Sequence, residues 1–76
     1  MDWKTYIVVD NDIASGSPVF RGTRVTIKTF FDHLKESSLS EFLEGFPTVS
    51  AAQADAVIEL AAYAVWDMVS SKEQQN

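Results

Sequence analysis

The segment 51–69 constrains this chain more than any other, because it predicts one long helix that is apolar almost all round. It contains no Gly or Pro, and fifteen of its nineteen residues are apolar. The four exceptions are Gln53, Asp55, Glu59 and Asp67. A helix that is apolar on every side is normally buried on every side. A chain of 76 residues has too little protein to cover both sides of such a helix.

At about 100° per residue, the apolar positions of this helix separate into two faces. The broader face predicts the intrachain core and consists of Ala54, Val57, Ile58, Ala61, Ala64, Val65, Met68 and Val69. The opposite face carries Leu60, Tyr63 and Trp66 among the polar residues. We expect this second face to contact another protein, because large exposed apolar patches mark interaction sites. The alternative is that the N-terminal strand folds back and covers it.

The composition is that of a globular domain, with 46% hydrophobic residues, no cysteine and one histidine. Disulfides, thiolate zinc sites and cysteine nucleophiles are therefore excluded, and we expect no catalytic residue, cofactor or metal. A small domain without these supports is commonly stabilised by oligomerisation. The net charge of −5 argues against broad contact with a phosphate backbone. No run approaches the roughly 20 apolar residues of a membrane span, and no signal peptide is recognisable, so we expect a cytoplasmic protein.

The N-terminal third predicts a β arm. Residues 3–9 are β-branched and aromatic and predict a strand. Residues 19–21 and 24–25 predict two short strands, joined by a tight hairpin at Gly22-Thr23. Turns are also expected at the other Gly and Pro positions of the loops, which are Gly16, Pro18 and Pro47.

Three helices follow the arm. Thr26 predicts the N-cap of a helix over 27–36, Ser40 the cap of a short second helix that Pro47 bounds, and Ser50 the cap of the third. The expected fold class is mainly α, with a helix-turn-helix-like three-helix core and a short β strand and hairpin. The expected single domain, 1–76, divides into a β arm (3–25), a helical core (26–69) and a polar tail (70–76).

Three of the six basic residues, Arg21, Arg24 and Lys28, fall within eight positions. The guanidinium fork suits phosphates and carboxylates, so these residues are a candidate contact for an anion, a nucleic acid or an acidic partner. The alternative is a set of intrachain salt bridges. The nearby carboxylates are Asp10, Asp12 and Asp32.

The order of the helices allows a DNA-reading third helix, but its chemistry does not favour one. Recognition helices read bases with Arg, Lys, Asn or Gln near their N-terminal end. Here only Gln53 could do so, and Asp55 and Glu59 would repel phosphates. A compact three-helix core without a role in DNA binding is the alternative.

Two motifs resemble those of a small bacterial family. The first is Ser15-Gly16-Ser17-Pro18-Val19-Phe20-Arg21-Gly22-Thr23-Arg24-Val25, and the second is Leu39-Ser40-Glu41-Phe42-Leu43-Glu44-Gly45-Phe46-Pro47-Thr48-Val49-Ser50. With these motifs, and over residues 5–66, the chain resembles the domain of unknown function 433 family. The residues shared with the family are Gly16, Pro18, Arg21, Gly22, Thr23, Arg24 and Pro47.

The resemblance implies a helix-turn-helix-type domain with a short β arm, often dimeric and without catalytic residues. Family members resemble VapB-type antitoxins and are often found beside a PIN-like nuclease. We therefore expect a non-enzymatic homodimer that binds such a nuclease. The alternative is a transcriptional regulator that binds DNA, weakly, through Arg21, Arg24 and Lys28.

The chain departs from the family pattern at the end of the first helix. Many members have a glycine there, whereas this chain has Ser37-Ser38. A left-handed residue is easy for Gly and costs other residues roughly 1 kcal/mol. Either one of these serines carries that strain, or the helix ends in another way.

Overall fold

The computed structural model describes the backbone of residues 2–74 and the side chains of residues 2–71. The predicted fold class is confirmed: the domain is mainly α, with a small β arm. The elements are β1 (Ile7–Val8), β2 (Val19–Phe20), α1 (Ile27–Leu34), α2 (Leu39–Gly45) and α3 (Ala51–Gln74). None of the helices in the described part of the chain is both long and apolar enough to span a bilayer.

Three phenylalanine rings form the centre of the core. Phe20 from β2, Phe30 from α1 and Phe42 from α2 are at most 1% exposed. The centroids of Phe20 and Phe30 lie 5.3 Å apart at 84°, and those of Phe30 and Phe42 lie 4.8 Å apart at 68°. Such edge-to-face pairs add about 0.5–1.5 kcal/mol each beyond their area burial. Ala54 and Val57 bring the start of α3 into the same cluster.

The β arm is shorter than predicted. The strand expected over 3–9 is wrong at its start, because Trp3–Thr5 forms a single 3-10 turn and only Ile7–Val8 is paired. The Asp2 carboxylate accepts a hydrogen bond from the Lys4 amide at 3.0 Å, and this local cap overrides the β propensity of the segment. β1 pairs antiparallel with β2, with Ile7 opposite Phe20.

The predicted second hairpin strand at 24–25 is also wrong as a strand, although the chain does turn back there. The Thr23 amide donates to the Phe20 carbonyl at 3.0 Å, and Gly22 has φ +80°, as the third residue of a type II turn requires. The Thr23 hydroxyl accepts from the Val25 amide at 3.0 Å. The Phe20 amide donates to the Val25 carbonyl at 3.0 Å, and the Ile27 amide donates to the Pro18 carbonyl at 2.9 Å. The return is thus a single isolated bridge, with Val19 opposite Thr26, rather than a ladder.

The turn before β2 is left-handed over three residues. Ala14 and Ser15 have φ of 50° and 56°, and Gly16 follows with φ +87°. A left-handed conformation costs a residue other than glycine roughly 1–2 kcal/mol. The Gly16 amide donates to the Ile13 carbonyl at 3.0 Å, which closes the turn. The expected turn at Pro47 is present as well, since the Val49 amide donates to the Phe46 carbonyl at 3.0 Å.

The helix caps follow the sequence with one exception. Thr26 caps α1 as predicted, and its hydroxyl accepts from the Thr29 amide at 3.0 Å. The cap of α2 is Ser38, not Ser40 as predicted, and its hydroxyl accepts from the Glu41 amide at 3.1 Å. A serine followed three residues later by a glutamate is a capping box, which explains the choice of Ser38.

The first helix ends at Leu34, earlier than predicted, and neither Ser37 nor Ser38 is left-handed. The Ser37 hydroxyl donates to the His33 carbonyl at 2.9 Å, and the Ser37 amide donates to the same oxygen at 2.8 Å. A carbonyl left unpaired by the end of the helix is thereby satisfied without a glycine.

The third helix continues to Gln74, so residues 70–74 of the predicted tail are helical, while 75–76 lie outside the described residues. The broad face predicted as core is wrong at Ile58, which is 37% exposed, and in its second half, where Val65 and Met68 are 57% and 65% exposed. The exposure of the second half follows from length. The helix has 24 residues against 8 in α1 and 7 in α2, and at about 1.5 Å per residue it extends past both.

We predict that Gly22→Val destabilises the domain by roughly 1–2 kcal/mol, because valine resists the left-handed conformation. A Cβ at Gly22 would meet no atom within 4 Å, so the loss would come from the backbone and not from a clash. Urea denaturation followed by circular dichroism measures it.

Gly45→Ala is the matched control. Gly45 lies in α2, has no positive φ, and a Cβ there also meets nothing within 4 Å. We expect this variant to gain up to about 1 kcal/mol through helix propensity. Equal midpoints for Gly22→Val and the wild type would show that the turn does not need its glycine.

Candidate functional site

The projecting half of α3, defined here as residues 62–71, concentrates the exposed apolar surface. Five of the eight large apolar side chains that are exposed in the described part of the chain lie in it. They are Tyr63, Val65, Trp66, Met68 and Val69. Single exposed apolar residues are ordinary, but a contiguous group on one element indicates an interaction site.

One side of the projecting half is aromatic. Tyr63 and Trp66 are 55% and 69% exposed, and Leu60 is half-buried at its base. We call these three residues the aromatic face. The alternative in which the N-terminal strand covers it is not realised, because both aromatic side chains stand in solvent. The predicted contact residues are therefore accessible, and the contact itself stays a prediction.

The other side of the projecting half is aliphatic and was missed as an interaction surface. Val65, Met68 and Val69 form this aliphatic face, and Val65 and Met68 continue the line of core residues from Ala54 and Val57 along the helix. Periodicity places them on the same side of the helix as the core residues, but the core ends before it reaches them. The short spacing between Thr26 and Pro47 was the available signal, because it limits how far the first two helices can extend.

The charged side chains of α3 up to residue 71 are all acidic. Between residues 51 and 71 the helix has three carboxylates and no basic residue. Glu59 and Asp67 are exposed and border the aromatic face. A surface of this kind combines an apolar contact with negative charge, and favours a partner that offers a cation at the edge of an apolar depression.

The structure gives Arg21, Arg24 and Lys28 three different environments. Arg21 donates from Nε and Nη2 to the Lys4 carbonyl at 2.9 and 2.6 Å, which ties β2 to the N-terminal turn. Lys28 Nζ lies 2.6 Å from Asp32 Oδ2 and lowers the pKa of that carboxyl through their hydrogen bond. The intrachain alternative thus holds for Lys28. Among the described side chains, Arg24 alone of the three has no ion pair or hydrogen bond.

Gln53, the one residue near the start of α3 that could read a base, forms hydrogen bonds within the chain instead. The Gln53 side-chain oxygen accepts from the Ser50 amide at 2.9 Å, while the Gln53 amide donates to the Ser50 hydroxyl at 3.1 Å. This reciprocal pair confirms Ser50 as the cap. The Gln53 side-chain nitrogen donates to the Arg21 carbonyl at 2.9 Å. Gln53 therefore fixes α3 to the β arm.

His33 lies on the exposed side of α1 and contacts aromatic rings. Its ring centroid is 5.1 Å from that of Phe46 and 5.9 Å from that of Phe42. Within residues 2–71 no group of three or more His, Cys, Asp or Glu side chains is placed to hold a metal ion. These contacts give His33 a packing role beside α2.

We predict that Gln53→Ala destabilises the domain by about 1–2 kcal/mol, because it removes half of the capping box and leaves the Arg21 carbonyl without its donor. Gln53→Glu is the matched control. It keeps an acceptor for the Ser50 amide and adds a negative charge that suits the start of a helix, while the donor to the Arg21 carbonyl is lost, so we expect a smaller loss. Thermal denaturation measures both, and a wild-type midpoint for Gln53→Ala would contradict the structural role.

Comparison with known proteins identifies the family of this chain. The protein-family model described as Protein of unknown function (DUF433) matches residues 7–61. This range covers more than half of the chain and both motifs, so the chain belongs to the DUF433 family. The matched range ends just before the projecting half of α3. No curated protein and no solved structure matches the chain.

Proposed function

We propose that this DUF433 protein is a non-enzymatic, homodimeric binding module of the antitoxin type, and that its partner is a PIN-like nuclease. The observation that carries the proposal is the projecting half of α3, which extends beyond the core and exposes apolar side chains on two faces. Docking of an apolar helix face into a groove is a common mode of protein recognition. The family resemblance supplies the class of partner.

The two faces of the projecting half suit two different contacts. We assign the aromatic face to the second copy, since aromatic side chains are the usual anchors at the centre of stable interfaces. The aliphatic face then remains for the nuclease. The net charge of −5 supports this pairing, because an RNA-handling partner is basic and is attracted at long range.

The small size of the domain supports the dimer independently. The chain has no cysteine, and no metal-binding cluster is present among the described residues. A core of this size supplies only about 3–5 kcal/mol. Association of two copies would stabilise the fold by burying the aromatic face, which is otherwise an aggregation hazard.

We predict that Trp66→Asp converts the dimer to a monomer at micromolar concentration. A charge in an apolar contact should cost at least about 2 kcal/mol, which is roughly a 30-fold increase in the dissociation constant. Sedimentation equilibrium measures it. Met68→Asp, on the aliphatic face of the same helix, is the control and should remain dimeric.

Binding of the nuclease is tested with the second of these variants. The coding sequence directly downstream is expected to encode a short chain with several spaced aspartates that hold Mg²⁺. Co-expression of the two chains should give a complex on size exclusion, and Met68→Asp should abolish it. The proposal fails if such a nuclease neither binds the wild-type protein nor loses RNA cleavage in its presence.

A DNA-binding regulator has less support from the geometry. Gln53 and the Arg21 guanidinium hydrogen-bond within the chain, and Lys28 is paired with Asp32. We predict weak binding to the upstream DNA at about 0.15 M salt, with a slope of log affinity against log salt no steeper than about −5 for six phosphate contacts. Sub-micromolar affinity that Arg21→Ala/Arg24→Ala abolishes would place the regulator first.

A further inference from the structure

An open depression of about 550 Å³ lies between the β arm and the loop that leads to α3. Its walls are mostly apolar and include Val8, Ile13, Val19, Val25 and Thr48. Among the described side chains, Arg24 is the single charged one that lines it. A volume of this size lies within the range of about 300–1,000 Å³ that is typical of binding pockets.

We propose that this depression receives Trp66 of a second copy, and that Asp67 of that copy pairs with Arg24. The inference rests on the homodimer proposed above and names the surface that accepts its aromatic face. It also gives a partner to Arg24, the one arginine whose side chain makes neither an ion pair nor a hydrogen bond among the described side chains. An arginine fork and a carboxylate form a charge-assisted pair, which fixes the register of the contact.

Charge decides against the simpler dimer in which the two aromatic faces pack on each other. Glu59 and Asp67 border that face, and α3 offers no cation between residues 51 and 71. Direct packing would bring four carboxylates together at one apolar contact, and unpaired charges at such a contact are costly. Insertion into the depression places Asp67 beside a cation instead.

The mutual insertion of the two helices forms a closed dimer with twofold symmetry. Each copy contributes one helix and one depression, so both acceptors are filled and no open surface remains to propagate a chain of molecules. Ten residues from 62 to 71 extend about 15 Å beyond the core, which is enough to reach a neighbouring domain. A fully covered tryptophan or tyrosine side chain buries about 150–250 Å². Two of each, together with the surface that receives them, bring the total buried area toward the roughly 1,200 Å² of a stable interface.

The depression is formed before binding. Gly22 and Thr23 hold the turn that carries Arg24, and the left-handed turn after Ile13 is closed by hydrogen bonds at 3.0 and 3.1 Å. A rigid acceptor loses little conformational entropy when it binds, so more of the contact energy remains as affinity.

A charge exchange between two variants tests the inference. Arg24→Glu alone places Glu against Asp67 in both contacts, and Asp67→Arg alone places two arginines together. Each variant should therefore weaken its own dimer by at least about tenfold. In an equimolar mixture every contact is again oppositely charged, so a heterodimer should form. Sedimentation equilibrium and native mass spectrometry measure both results, and Lys28→Ala, outside the depression, should dimerise as the wild type.

The outcomes separate this inference from the proposed function. If Trp66→Asp abolishes the dimer while Arg24→Glu leaves it intact, the homodimer stands and the depression is not its acceptor. If Arg24→Glu removes only the bound nuclease, the depression holds that partner and the inference is overturned. If Trp66→Asp has no effect on the dimer, both this inference and the assignment of the aromatic face to the second copy fail. Circular dichroism and urea midpoints confirm that each variant is folded.

Discussion

The contact between Phe20, Phe30 and Phe42 is the interaction on which the rest of the structure depends. Each ring comes from a different element, and together they join β2, α1 and α2 into one core. The chain has no disulfide to share this role. The three rings are also large relative to the rest of the core, since the other buried residues are valines and alanines. The extent of this cluster therefore sets how much of the chain is held in place.

The limited reach of that core explains the projecting half of α3. Ala54 and Val57 engage the phenylalanines, whereas every side chain from residue 62 to residue 69 is exposed. Alanines favour continuation of the helix, yet short helices without tertiary contacts are marginal in water. A helix that is apolar on two faces and lacks support from its own domain gains most from a partner. The same imbalance of lengths thus produces the exposed surface and the need to cover it.

Local features of the fold were predictable from the sequence, and nonlocal ones were not. The caps at Thr26 and Ser50 and the turn at Gly22 depend on contacts between residues two or three apart, which a sequence displays directly. The choice of Ser38 over Ser40 was readable in principle, because a glutamate, Glu41, stands at the capping-box spacing after Ser38, whereas a leucine stands there after Ser40. The hydrogen-bond acceptor of the Gln53 side-chain nitrogen lies 32 residues away, and no sequence pattern predicts this contact. Periodicity likewise showed which residues share a face of α3, but not where the neighbouring helices end.

The motif Arg21-Gly22-Thr23-Arg24 shows how one turn gives two arginines different roles. The Arg21 side chain binds the Lys4 carbonyl, and its own carbonyl accepts from Gln53, so this residue connects the N-terminal turn, β2 and α3. Gly22 then reverses the chain, and Thr23 fixes the reversal by bonding to residues on both sides. Arg24 emerges beyond the turn with its charge unpaired among the described side chains. Arg21 keeps its charge, but two of its donors are fixed on the Lys4 carbonyl, so Arg24 is the arginine of this motif whose whole fork is free among the described side chains. In the dimer proposed above, that fork binds one carboxylate of the second copy.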